Sequence, residues 1–201
     1  MDRFKDLFEF NKRWAKEKTS TDENFFERLA SFQSPELLWI GCSDSRVPPN
    51  LITGLGLGKI FVHRNIANII PPDDLNTSSV IQYAIDSLRI ENIVVCGHYC
   101  CGGIDAALGS DLTDPLDNWI QLIRNTADLH KDELDKLEDH EARSARLSEL
   151  NIMEQVKNVA NLDIVRAARE RNQIVNIRGW IYDLNDGLLR DLGVDISDAA
   201  L

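Results

Sequence analysis

The chain has 201 residues, enough for one domain with a full core or for a domain plus an appended helical arm, and 43% of them are hydrophobic, ordinary for a soluble protein. Its 22 Lys and Arg against 33 Asp and Glu give a formal charge of −11, which argues against nucleic acid as a partner. No apolar run reaches the roughly 18 residues that a membrane span needs, and Met1-Asp2-Arg3-Phe4-Lys5 carries no signal-peptide pattern, so the expected setting is the cytoplasm.

From Arg3 to Lys18 the apolar residues Phe4, Leu7, Phe8 and Trp14 recur at helical spacing. Thr21 or Asp22 is placed to cap a second helix from about Glu23 to Phe32, ended by Pro35. Two apolar helices ahead of the first strand need a surface to cover, and the reading is an arm over residues 1–33 that clasps a second subunit. Strand signals follow at Leu37 to Ile40, Lys59 to His63, Asn92 to Cys96 and Gln173 to Arg178. Helical patterns lie between them, at about Asn76 to Leu88, Gly102 to Leu108, Pro115 to Leu129 and Glu141 to Arg171. From Trp180 the chain reads as a strand, an Asn185-Asp186-Gly187 turn and a return strand. Continuous apolar strands alternating with helices predict an α/β fold. Its central sheet is mainly parallel and flanked by helices, with an antiparallel C-terminal edge strand, all in a single domain over 1–201.

The chemistry gathers in two segments, each directly after a predicted strand, at the carboxyl end where open α/β sheets bind ligands. One reads Cys42-Ser43-Asp44-Ser45-Arg46 and the other His98-Tyr99-Cys100-Cys101-Gly102-Gly103. Four cysteines in a chain without a secretion signal suggest metal or thiol chemistry rather than disulfides. Cys42, His98 and Cys101 offer two thiolates and an imidazole, a set that suits zinc and leaves one coordination position open for chemistry. Spacing alone does not separate Cys100 from Cys101. Cys101 is favoured, because a thiolate near the start of the helix opening at Gly102-Gly103 is stabilised by unpaired N–H groups, with Cys100 as a packed thiol. Asp44 either takes the open position or accepts a hydrogen bond from metal-bound hydroxide. Arg46, paired with it bidentately, holds it off the metal. Cys96 and His63 read as core residues, and His130 and His140 as solvent-facing in a charged stretch.

With Val62-His63-Arg64-Asn65-Ile66-Ala67-Asn68 between them, these segments closely resemble the β-class carbonic anhydrases, and the likeness runs from about Phe32 to Leu189. The resemblance implies reversible hydration of carbon dioxide to bicarbonate through zinc-bound hydroxide, with one zinc ion per subunit. It implies Cys42, His98 and Cys101 as ligands, and Asp44 as an exchangeable fourth ligand paired with Arg46. It carries over a substrate pocket of Gln33, Phe61, Ile66, Tyr83 and Gly102, an apolar wall with an amide donor. In one subgroup of the family bicarbonate inhibits from a neighbouring site, whose residues correspond here to Trp39, Gly41, Val47, Arg64 and Tyr182. The family also implies homodimers that assemble into homotetramers. Two rival readings use the same residues: hydrolysis of carbon disulfide or similar small sulfur compounds, and a non-enzymatic zinc-binding or thiol-sensing module using Cys96 and Cys100.

Overall fold

The computed structural model describes residues 3–109 and 111–197, in two compact units, Met1–Ser34 and Pro35–Leu201. The first unit is a pair of helices, α1 (Arg3–Thr21) and α2 (Phe25–Ser31). They meet through Trp14 and Phe26, edge-on with ring centroids 5.8 Å apart, and Phe26 meets Phe25 at 5.0 Å. None of the residues of α1 is buried. The expected cap of α2 does not form: Asp22 receives Arg28 Nη1 at 2.9 Å instead, and the residue at the cap position, Asn24, makes no side-chain capping bond.

The second unit is built on five strands, β1 (Leu37–Cys42), β2 (Ile60–Asn65), β3 (Asn92–His98), β4 (Asn176–Asp183) and β5 (Leu188–Ile196), in the order β2-β1-β3-β4-β5. All pairings are parallel except β4 with β5. The helices of this unit are α3 (Pro49–Thr53), α4 (Leu75–Gln82), α5 (Gly102–Ala107), α6 (Leu116–Leu129), α7 (Lys131–Leu134), α8 (His140–Asn161) and α9 (Asp163–Glu170). One face of the sheet presents Leu38, Ile40, Ile93, Val95, Ile177 and Ile181 to Ile152, Val156 and Val159 of α8 and Val165 of α9. Each such side chain, fully buried, contributes roughly 1.5–3 kcal/mol. The close approach of α8 explains two glycines on adjacent strands. A Cβ at Gly97 would sit 2.8 Å from Ile152 Cδ1, and one at Gly179 3.0 Å from Ile152 Cγ2. On the other face Trp39, Val94 and Cys96 pack with Ile52, Trp180 and Tyr182.

Two sequence expectations are corrected. The last parallel strand and the first strand of the terminal hairpin are one element, β4, which begins at Asn176 rather than Gln173 and runs through Gly179 to Asp183. The long helix predicted to Arg171 is broken at Leu162, whose extended backbone (φ −63°, ψ 137°) turns its side chain into the core and separates α8 from α9. No described helix is long and apolar enough to cross a membrane.

Candidate metal centre

β1 and β3 are neighbours, and their carboxyl ends deliver Cys42 and His98 side by side. Cys101 follows at the start of α5. The ligand atoms of Cys42, His98 and Cys101 lie within 4.8 Å of one another, and the three residues are 6%, 1% and 3% exposed. The sulfurs are 3.9 Å apart. A tetrahedral ion with zinc–sulfur bonds of about 2.3 Å separates two sulfurs by about 3.8 Å, so the pair is already spaced for zinc.

His98 is oriented for the same purpose. Its Nδ1 lies 2.9 Å from the carbonyl oxygen of Tyr99, so that nitrogen carries the proton and Nε2 keeps its lone pair. Nε2 is buried without a hydrogen-bond partner among the described residues, which is costly for a nitrogen that binds nothing and ordinary for a metal ligand. The thiols titrate as a pair. The Cys101 thiol and the backbone N–H groups of Asp44 and Ala67 stabilise a Cys42 thiolate against the cost of burial, pulling Cys42 down to about 4. The second proton is held firmly on Cys101 by that same bond to Cys42 and by burial. Ala67 reaches Cys42 Sγ at 3.4 Å because it sits in a left-handed kink (φ 59°) just after β2. That geometry costs a non-glycine residue about 1–2 kcal/mol.

Asp44 stands beside this trio, with Oδ2 3.8 Å from His98 Nε2. Arg46 holds it by three bonds: Nε to Oδ1 at 2.9 Å, Nη2 to Oδ2 at 2.7 Å, and its own backbone N–H to Oδ1 at 2.9 Å. The guanidinium keeps the Asp44 carboxyl well below the usual carboxylate range. Nη2 of Arg46 also donates to the Cys100 carbonyl at 3.2 Å. From behind, Arg64 fixes the backbone of the same loop, Nε donating to Cys42 O at 2.7 Å and Nη2 to Asp44 O at 2.6 Å.

The remaining candidates fall into groups. Phe61 and Tyr83 are in contact, with ring centroids 5.8 Å apart. Ile66 packs toward the start of α5, where a Cβ at Gly103 would meet its Cγ2 at 2.9 Å, whereas a Cβ at Gly102 would meet nothing within 4 Å. Gln33 is an exposed residue of the N-terminal unit. Trp39 and Tyr182 share one cluster, Val47 is buried, and the Trp39 indole N–H is buried with no partner among the described residues. Cys96 is buried, its thiol pushed up by desolvation and donating to Gly97 O at 3.4 Å, which makes it inert. Cys100 is exposed rather than packed. His63 is buried, and His140 is exposed with Nε2 4.0 Å from Asp105; His130 is partly buried between Glu133 and Glu154. Sequence reasoning missed the Ala67 N–H, the Tyr99 carbonyl and Trp119, whose Nε1 holds Ile66 O at 3.0 Å. The first two are backbone groups, which leave no side-chain signal.

Residues 37–189 match a protein-family model described as carbonic anhydrase. A carbonic anhydrase of Emericella nidulans is 48% identical over 189 residues, 94% of this chain and 83% of that protein. One of Candida albicans is 37% identical over 84% of this chain, which spans 60% of that protein's length. The solved structure of a β-carbonic anhydrase from Sordaria macrospora, described as tetrameric, matches with a TM-score of 0.92 at 38% identity, covering 98% of this chain and 100% of that one.

Proposed function

This chain belongs to the β-class carbonic anhydrases, zinc lyases that interconvert carbon dioxide and bicarbonate, and we propose that it performs that reaction at the Cys42, His98 and Cys101 centre. The observation that carries this reading is the buried His98 Nε2, unpartnered among the described residues and converging with two sulfurs at zinc spacing. Zinc, one ion per chain, would supply a Lewis acid that lowers the pKa of a coordinated water and so provides a nucleophile near neutral pH.

Everything else is the work of the chain's own residues. Phe61 and Tyr83, in ring contact, and Ile66, beside the start of α5, are the apolar residues this reading gives to carbon dioxide, and Gly102 leaves room for a small molecule because a Cβ there would meet nothing within 4 Å. Asp44, anionic because Arg46 stabilises its charge, accepts a hydrogen bond from the attacking water and orients it. Arg46 is the latch: the intact pair holds both Asp44 oxygens on the guanidinium, and its release would free Oδ2, 3.8 Å from His98 Nε2, to turn toward Cys42, His98 and Cys101, the residues that would hold zinc, and so to compete with the water that zinc would activate.

Bicarbonate inhibition follows the same loop. The Trp39 indole N–H, the Tyr182 phenol and Arg64 are donors for a small anion, with Gly41 leaving space and Val47 lining the site. Arg64 also holds the Asp44 carbonyl at 2.6 Å, so an anion that draws Arg64 away loosens the backbone carrying the latch. The active form is a homodimer assembled into a homotetramer, a reading supported by the Sordaria relative's description as tetrameric. Stopped-flow hydration of carbon dioxide across pH, with zinc quantified on the same sample, tests the proposal. Zinc-loaded protein without hydration activity would overturn it.

A further inference from the structure

Between His98 and Cys101 lies a two-residue turn whose carbonyls are both engaged. Tyr99 O accepts from His98 Nδ1 at 2.9 Å, and Cys100 O accepts from Arg46 Nη2 at 3.2 Å. One turn therefore fixes the direction of a metal ligand and of the arginine that holds Asp44. Cys100 is left-handed (φ 57°), a conformation that a non-glycine residue does not favour, so the turn must be held from outside.

Two bonds do this. The Tyr99 N–H donates to Tyr182 O at 3.1 Å, carrying the β3–β4 ladder one residue further. The Tyr99 O–H donates to Glu149 Oε1 on α8 at 2.7 Å. Glu149 is itself braced: Arg146 Nη1 donates to its Oε2 at 2.6 Å, and Arg146 Nε donates to Glu133 at 2.7 Å. The tyrosine ring is partly buried against the main core, so these polar contacts are made at the edge of a packed surface rather than in open solvent.

We propose that Glu149 is a positioning residue of the metal centre, acting through Tyr99. By pinning the phenol to α8 it sets the Tyr99 carbonyl that orients His98 and the Cys100 carbonyl that steadies Arg46. This rests on the metal reading above. Outer partners of metal ligands typically alter metal affinity 10- to 100-fold when removed.

The test compares full-length parent, Tyr99→Phe, Glu149→Ala and Glu149→Gln, each loaded with zinc and separately with cobalt(II). The readouts are zinc release to a chelator, the visible absorption of the cobalt form and the thermal midpoint. Tyr99→Phe and Glu149→Ala are expected to release zinc about tenfold faster and to shift the cobalt bands. Glu149→Gln keeps an acceptor for the phenol and is expected to restore most of both. Lowered thermal midpoints with unchanged release and spectra would make the bond a packing contact and overturn the inference alone, as would a Gln variant no better than Ala. If Glu149→Ala does not fold, Tyr99→Phe, which removes one oxygen, carries the comparison. A parent chain that takes up neither metal overturns the metal reading and this inference together.

Discussion

The indole nitrogen of Trp39 occupies the space that a side chain at residue 41 would fill: a Cβ on Gly41 would lie 2.3 Å from Nε1. The ring has no room to withdraw, since Trp39 is fully buried and meets Trp180 edge-on with centroids 6.3 Å apart. Gly41→Ala is therefore expected to destabilise the fold by about 1–3 kcal/mol, the usual cost of overpacking. Urea unfolding measures it. Gly102→Ala, where a Cβ meets nothing within 4 Å, serves as the contrast and should stay within about 0.5 kcal/mol of the parent. Equal losses at both positions would show that the Trp39 contact is not what fixes residue 41.

That same indole N–H has no hydrogen-bond partner among the described residues, and a buried donor left unpaired costs about 1–3 kcal/mol. A small anion bound there, as the proposed inhibition requires, would recover that cost. Tyr182→Phe removes one phenol oxygen from the same cluster with almost no change in volume. It is expected to weaken bicarbonate inhibition about tenfold, in line with one charge-assisted hydrogen bond of about 1.5 kcal/mol, with zinc content unchanged. Trp39→Phe should weaken inhibition as well, with added instability from the lost volume. An inhibition curve identical to the parent's in both variants would remove the site.

The two ligand segments are legible because a buried strand writes itself as an unbroken apolar run and stops at a glycine, at Leu37 to Gly41 and at Asn92 to Gly97. The same rule misreads β4. Gly179 looks like a break between two strands, yet it sits mid-strand because Ile152 and Val156 of α8 leave no room for a side chain there. The break at Leu162 is invisible for the opposite reason: no proline or glycine marks it, and only the need to bury that leucine turns the chain. The left-handed Ala67 and Cys100 are equally unmarked, since neither is glycine, although one aims its N–H at Cys42 Sγ and the other its carbonyl at Arg46.

His63 gives the fold a pH dependence of known sign. Its Nε2 lies 3.4 Å from Asn65 Nδ2, whose amide also donates to Ile69 O at 2.7 Å, and 3.1 Å from Thr77 Oγ1, whose hydroxyl donates to Asp74, so the ring is buried among neutral polar groups with no carboxylate in direct contact with Nε2. Burial lowers its pKa, opposed by the negative charge of Asp74. The unfolded chain, with histidine near its ordinary value of about 6.5, then takes up the proton first. Stability from this group is fully present above that value and is lost as pH falls below it toward the depressed folded value. Unfolding midpoints of the zinc-loaded protein should drop between about pH 7 and 5, and His63→Gln should flatten that part of the profile. A variant profile as steep as the parent's would assign the loss to other groups.

Removing the metal separates the four cysteines. Cys42→Ser and Cys101→Ser are expected to lose most bound zinc, while Cys96→Ser, altered inside the core, and Cys100→Ser, altered at the surface, should keep it. A ligand that binds only the folded state at a hundred times its dissociation constant adds about 2.7 kcal/mol. Chelation should therefore lower the unfolding midpoint of the parent and of Cys100→Ser alike, and leave Cys42→Ser unmoved. Zinc retained by Cys101→Ser and lost by Cys100→Ser would reverse the assignment of the two adjacent thiols.

Arg46 has two separable effects on Asp44, and two substitutions pull them apart. It stabilises the carboxylate charge, and it fixes the direction of both oxygens through three hydrogen bonds. Asp44→Asn removes the charge and turns one of those oxygens into a donor, so zinc should remain bound while kcat falls by about 10²-fold or more, the range seen when a group orienting the reacting atom is lost. Arg46→Ala leaves the carboxylate free to turn toward His98 Nε2, only 3.8 Å from Oδ2, and to occupy the position where water must bind. Its activity should also collapse, but zinc should be released to a chelator more slowly than from the parent, because the ion gains a fourth protein ligand. The double variant Arg46→Ala with Asp44→Asn should lose that slow release, since the anionic ligand is gone. Faster release from Arg46→Ala than from the parent would mean that the arginine supports the metal centre rather than holding Asp44 away from it.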